Sequence, residues 1–63
     1  MNIHKIKLNI VDFTRENRVI TTSELASQFK ISWNTAEKYL LELTLDGKVV
    51  RIRKKGVNLW LLK

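Results

Sequence analysis

The residues able to do acid–base or metal chemistry are few in this 63-residue chain. Cysteine is absent, and the single histidine, His4, stands near the amino terminus. One imidazole without thiolates cannot form a zinc site, and the six carboxylates are scattered along the chain without an evident acid–base pair. The sequence therefore predicts no catalytic residue, no metal site, no cofactor and no disulfide.

Basic side chains are the chemical groups that the chain does concentrate. The net charge is +6, and residues 1–47 hold six basic and six acidic residues. Residues 48–63 hold six basic residues and no acidic one, so they carry the whole excess. Such a concentration favours a polyanion as partner, because each neutralised phosphate releases condensed counterions. A lysine-rich edge that discourages aggregation between sheets is the structural alternative.

A helix is predicted immediately before this basic segment, over residues 32–46. Ser32 is a good N-cap, and Gly47 is the expected stop at the carboxyl end. The first turns are polar or exposed. Apolar side chains fall on one face of the helix, namely Ala36, Tyr39, Leu40 and Leu43.

Three shorter elements are predicted ahead of that helix. Residues 18–21 are rich in β-branched side chains and favour a short strand. The run TTSE at residues 21–24 fits a capping box that opens a helix over residues 22–29. An amphipathic helix is predicted over residues 3–16, where apolar residues recur at spacings of three and four: Ile3, Ile6, Ile10 and Phe13.

Two β-prone runs follow the helix over residues 32–46. Residues 49–53 and 57–62 are separated by a polar connection with a glycine, which predicts a β-hairpin over residues 48–62. Apolar residues fall on both faces of these runs, so the sequence leaves the register open. Trp60 is expected to pack against one of the helices.

The order helix, short strand, helix, helix, basic hairpin resembles the winged helix-turn-helix family of small prokaryotic or viral transcription regulators. The resemblance rests on VITTSELASQFKISWNTAEKYLLELTLDGKVVRIRKKG, with its Thr/Ser-capped helix, its turn containing serine and its glycine-terminated second helix. It covers nearly the full chain as one domain, residues 1–63. It implies an α+β fold of three helices with a small antiparallel sheet. Lys48 departs from the family pattern, which often has an apolar residue there.

The resemblance implies a sequence-specific transcriptional regulator that binds double-stranded DNA, with helix 32–46 in the major groove and wing 48–62 on the flanking backbone. The residues expected to meet base edges are Trp33, Asn34, Thr35 and Lys38. Those expected to grip the backbone are Arg51, Arg53, Lys54 and Lys55. The helix has no arginine, so the commonest contact to guanine is missing there.

Several side chains near the helix starts have two interpretations. Trp33 is either exposed against a sugar or a thymine methyl group, or packed against the neighbouring helix. Glu37 either accepts a hydrogen bond from cytosine or pairs with a neighbour on the helix. The hydroxyl groups of Thr22, Ser23 and Ser32 are expected to cap helices rather than to contact phosphate.

A homodimer is expected, because a chain of this length has a thin core. Four apolar residues are in surplus, so the dimer contact is expected either through the first helix or through a Leu41/Leu45 patch: Ile3, Ile6, Leu41 and Leu45. A winged-helix module for protein–protein interaction in a replication or transcription assembly is the alternative function, and RNA binding is a third. No small-molecule ligand is expected. Apolar runs are too short to cross a membrane or to form a signal peptide, so a cytoplasmic protein is expected.

Overall fold

The computed structural model describes residues 3–63, and the side chains from residue 4 onwards. Its helices and strands follow the predicted order, and the predicted α+β class, consistent with a winged-helix-like fold, is confirmed. None of the described helices is long and apolar enough to span a membrane. The elements are α1 (Ile3–Asn17), β1 (Val19–Thr21), α2 (Thr22–Phe29), α3 (Trp33–Leu45), β2 (Val49–Lys54) and β3 (Val57–Leu62).

Local hydrogen bonds fix the starts of α2 and α3. Thr21 Oγ1 accepts from the Glu24 amide at 3.1 Å, and the Thr21 amide donates to Glu24 Oε1 at 2.8 Å. Ser32 Oγ accepts from the Thr35 amide at 3.1 Å. These contacts confirm the predicted capping box and the predicted N-cap, and they satisfy amides that no helical carbonyl can reach.

The three strands form one antiparallel sheet in the order β1-β3-β2. Trp60 lies at the centre of the sheet, opposite Ile20 on one side and Arg51 on the other. The hairpin turn consists of Lys55 and Gly56, with φ values of 50° and 79°. Two positive φ angles are those of a type I′ turn, whose twist matches that of the flanking strands. The turn is therefore one residue shorter than the sequence predicted.

The core lies between the helices and the inner face of the sheet. Trp60 is fully buried, which confirms its predicted packing role, and Ile6 of α1 packs against the core. Ile6 is thus not in surplus, whereas the side chain of Ile3 lies outside the described residues. The buried apolar residues are Ile10, Ile20, Leu25, Ala36, Leu40, Leu43, Val49 and Trp60.

The outer face of the sheet is left uncovered. Strand alternation and the observed register bring six apolar side chains onto it. Among the described residues, none of the six forms the core or packs against it, and four of them are 36% to 48% exposed. The apolar residues that the sequence showed on both faces are thus divided between a buried face and an open one. The six are Val19, Val50, Ile52, Val57, Leu59 and Leu61.

Candidate nucleic-acid interface

The outward side of α3 presents Asn34 and Lys38. Both are exposed, and they stand four residues apart, so they neighbour each other on one helical face. The opposite side of the helix is anchored in the core through Ala36, Leu40 and Leu43. Two of the four predicted base-contacting residues therefore share one accessible stripe.

Trp33 is exposed rather than tucked against the neighbouring helix, with 48% of its surface accessible. It lines a cleft of about 400 Å³ between the start of α2, the start of α3 and the tip of the hairpin. Arg53 of β2 and Glu37 of α3 line the same cleft. The fold thus brings a predicted helix residue and a predicted wing residue to one concave surface.

Thr35 occupies a different environment from the other predicted helix residues. It is half-buried, and its hydroxyl oxygen accepts a hydrogen bond from the Ser32 hydroxyl at 2.8 Å. Its amide donates to the same Ser32 oxygen. The polar atoms of Thr35 are therefore engaged at the N-cap of α3 in the free protein.

The four predicted hairpin cations are all exposed. Alternation directs Arg51 and Arg53 to the inner side of the sheet, beyond the covered core, whereas Lys54 lies on the outer side and Lys55 in the turn. In the described part of the chain none of the four takes part in an ion pair. Their charges are therefore available to an external anion.

A buried series of hydrogen bonds reaches this surface, and the sequence patterns did not predict it. The Trp60 indole nitrogen donates to Thr22 Oγ1 at 2.9 Å, and that hydroxyl donates to Glu37 Oε1 at 3.1 Å. An indole nitrogen can only donate, so the single hydroxyl proton of Thr22 remains for the carboxylate. The expectation that the Thr22 hydroxyl caps α2 is therefore wrong, because Thr21 is the N-cap. The available sequence signal was that a second threonine follows the N-cap residue, with a hydroxyl left for another partner.

The other side of α3 is fixed to α1 by charge. Lys7 Nζ lies 2.9 Å from Glu42 Oε1 and 3.8 Å from Asp46 Oδ2. The hydrogen bond to Glu42 raises the pKa of Lys7 above its ordinary value, and the charges of both carboxylates add to this effect. These contacts orient α3 without using the residues of its exposed stripe.

The carboxyl half of α3 is apolar where it is exposed. Leu45 is 87% exposed and Leu41 is 40% exposed. They line a groove beside β2 together with Val49 and Val50. The predicted Leu41/Leu45 patch is therefore an accessible surface, separate from the polar stripe at the start of the helix.

Comparison with known proteins places the chain in a family. A family model described as "Bacterial protein of unknown function (DUF977)" matches residues 2–59, which is nearly the whole chain. No curated protein and no solved structure matches significantly.

Proposed function

The chain belongs to this bacterial family, DUF977, and we propose that it is a sequence-specific transcriptional regulator that binds double-stranded DNA. The observation that carries the proposal is the cationic hairpin. Its four cations are exposed and form no ion pair with any described residue, in a segment that has no acidic residue. Unpaired cations on a protruding hairpin suit the phosphate backbone of a duplex.

In this proposal the hairpin supplies affinity for DNA, and α3 supplies the sequence preference. Arg51, Arg53, Lys54 and Lys55 supply affinity through phosphates, which carry no sequence information. α3 enters the major groove, where Trp33, Asn34 and Lys38 meet base edges. Asn34 suits a bidentate contact to adenine, and Lys38 reaches guanine or a phosphate. Thr35 contributes its methyl group to thymine or donates its hydroxyl proton to a phosphate, since that hydroxyl only accepts at the cap.

We also propose that the protein acts as a homodimer through the outer face of its sheet. This face carries six apolar side chains, none of which packs against the core and four of which are 36% to 48% exposed. Two such faces pack on each other by a two-fold axis, as sheets do in a sandwich. Strands of this length give a face of about 20 Å by 14 Å. That area is below the ~800 Å² per partner of a standard interface, so the dimer dissociates readily.

The test of DNA binding is titration of a mixed-sequence duplex into the protein at several salt concentrations, followed by fluorescence anisotropy and gel retardation. We expect the logarithm of the binding constant to fall linearly with the logarithm of salt concentration, because counterions are released. Selection of bound sites from a random duplex pool then measures sequence preference. Absence of any retardation at low salt contradicts the proposal.

A protein-docking module is the second candidate function, and the uncovered apolar surfaces favour it. Leu41 and Leu45 form one such surface, and the outer sheet face forms another. A docking module needs no affinity for a duplex. The salt titration therefore separates the two functions, because only the DNA-binding regulator gives salt-sensitive retardation.

A further inference from the structure

We propose that Glu37 determines base specificity: its carboxylate, held by Thr22 and Trp60, accepts a hydrogen bond from the amino group of cytosine in the major groove. The inference rests on the proposed DNA binding and names the base that one residue of that site selects. For Glu37 the sequence left two roles open, a contact to cytosine or a pair with a neighbour on the helix.

The carboxylate is held in place from inside the protein. Trp60 is fully buried and Thr22 nearly so, and the two donate in series toward Glu37 Oε1. The direction of both hydrogen bonds is fixed, because the indole nitrogen can only donate and the threonine hydroxyl has a single proton. Glu37 is itself half-buried on α3, so its side chain is ordered by a contact to a different helix. An ordered acceptor suits the discrimination of bases better than a mobile surface carboxylate.

The position of Glu37 faces the surface that the DNA would occupy. Glu37 and Trp33 stand one helical turn apart, and both line the cleft that Arg53 closes from the hairpin side. A DNA strand held between α3 and the hairpin passes this cleft. Arg53 lines the same cleft and forms no ion pair with Glu37. Its positive charge offsets the repulsion between the Glu37 carboxylate and nearby phosphates.

The chemistry of a carboxylate restricts the bases it accepts. An ionised carboxylate is an acceptor only, and cytosine presents an amino donor in the major groove without an adjacent acceptor. Guanine presents two acceptors and thymine presents one. Neither base offers the carboxylate a hydrogen, and their acceptor atoms repel it. Adenine combines a donor with an acceptor, which suits an amide better than a carboxylate. Cytosine is therefore the base that fits Glu37 best.

The experiment is site selection from a random duplex pool with the wild type, with Glu37→Gln and with Glu42→Gln. The amide introduced by Glu37→Gln keeps an oxygen that accepts from Thr22, so the fold is retained, and urea unfolding checks this. Glu42→Gln is the matched control, because Glu42 lies on α3 but pairs with Lys7 on the other side. We expect the wild type and the control to require cytosine at one position. Inverting that base pair should weaken their binding by about tenfold or more.

The Glu37→Gln variant is expected to lose the cytosine preference or to exchange it for adenine, which a glutamine contacts bidentately. The positioning role of Thr22 has its own readout. Thr22→Val should reduce the discrimination between the cytosine site and its inverted form, whereas Thr22→Ser, which restores a hydroxyl, should recover it. A purely structural threonine would leave this ratio unchanged in the folded protein.

The outcomes separate this inference from the proposed function. Wild-type binding to duplex DNA with an unchanged cytosine preference in Glu37→Gln overturns the role of Glu37 and leaves DNA binding intact. Absence of duplex binding by the wild type overturns both proposals.

Discussion

At the scale of single residues, Thr22 connects the core to the candidate interface. Its hydroxyl accepts from the only polar atom of the buried Trp60 ring and donates to Glu37 at the surface. Removing this hydroxyl therefore breaks both hydrogen bonds, the one from Trp60 and the one to Glu37. The buried indole loses its acceptor, and the carboxylate loses the donor that orients it.

The substitution Thr22→Val should lower the free energy of unfolding by about 1 to 3 kcal/mol, because it leaves a buried donor without a partner. Urea unfolding followed by tryptophan fluorescence measures this loss. Thr14→Val is the matched control: Thr14 is also fully buried, but its hydroxyl donates to the Ile10 carbonyl within its own helix. No buried donor is orphaned there, so the loss should be much smaller. Equal losses in the two variants would contradict the proposed importance of the Trp60 contact.

Replacing Asn34 by alanine should cost roughly 1 to 3 kcal/mol of binding free energy on a preferred site and little on random DNA. The physical reason is the loss of hydrogen bonds to a base edge, which only the correct sequence offers. Anisotropy titrations on both duplexes measure the two losses. Asn9→Ala, at an exposed position of α1, is the control and should change neither. A loss of the same size on both duplexes would argue against base readout by Asn34.

At the scale of elements, the hairpin divides its charges by strand alternation and by its turn. Arg51 and Arg53 lie on the inner side, Lys54 lies on the outer side, and Lys55 occupies a left-handed turn position. The tip is therefore cationic on both sides. Lys55 also contributes to the backbone geometry, so a substitution there has to tolerate a positive φ angle.

Neutralising the hairpin tip by Lys54→Gln together with Lys55→Asn should weaken binding to every duplex. It should also reduce the steepness of the salt dependence by up to about two units, since each lost phosphate contact removes about one counterion. Asparagine is chosen at position 55 because it tolerates the left-handed conformation. The measurement is the slope of the logarithm of the binding constant against the logarithm of salt concentration.

The control for the tip variant removes two charges from the other end of the hairpin, by Lys48→Gln and Lys63→Gln. Both residues are exposed, so net charge falls equally while the tip stays intact. We expect the slope of the salt dependence to change less than in the tip variant. The same decrease in both double variants would indicate that net charge, and not the hairpin tip, sets the affinity.

At the scale of the whole molecule, the fold has more apolar surface than its own elements cover. The described helices pack on one face of the sheet, and on the other face four apolar side chains are 36% to 48% exposed. Leu41 and Leu45 add a second uncovered surface, on α3. Association is the general way in which small domains bury such surfaces.

Sedimentation at micromolar concentration should show reversible association of the 7.4 kDa chain. Ile52→Ser, on the outer sheet face, should shift the equilibrium to monomer, because a polar group replaces buried apolar surface. Leu45→Ser is the matched control on the α3 patch and should leave the dimer intact. Dissociation by Leu45→Ser alone would move the interface to α3, and wild-type protein that is monomeric throughout would remove the dimer altogether.

Local sequence patterns were sufficient to predict the order of the elements, the N-caps Thr21 and Ser32, and the location of the positive charge. These features depend on residues within about four positions of each other, as in the Thr21–Glu24 capping box and the Ser32 N-cap. Local hydrogen bonding and hydrophobic periodicity therefore sufficed for the order of the three helices and the hairpin. They also sufficed to place Asn34 and Lys38 on one exposed helical face.

Contacts between residues that are distant in the sequence depend on how the elements pack. The Trp60–Thr22 contact joins residues 38 positions apart, and the Thr22–Glu37 contact joins residues 15 positions apart. The register of β1 and β2 on β3 decided which apolar residues lie on the open face, because shifting a strand by one residue exchanges its two faces. Local patterns contain no information on such pairings, so the contact of Glu37 with Thr22 and the exposed sheet face were visible only in the packed structure.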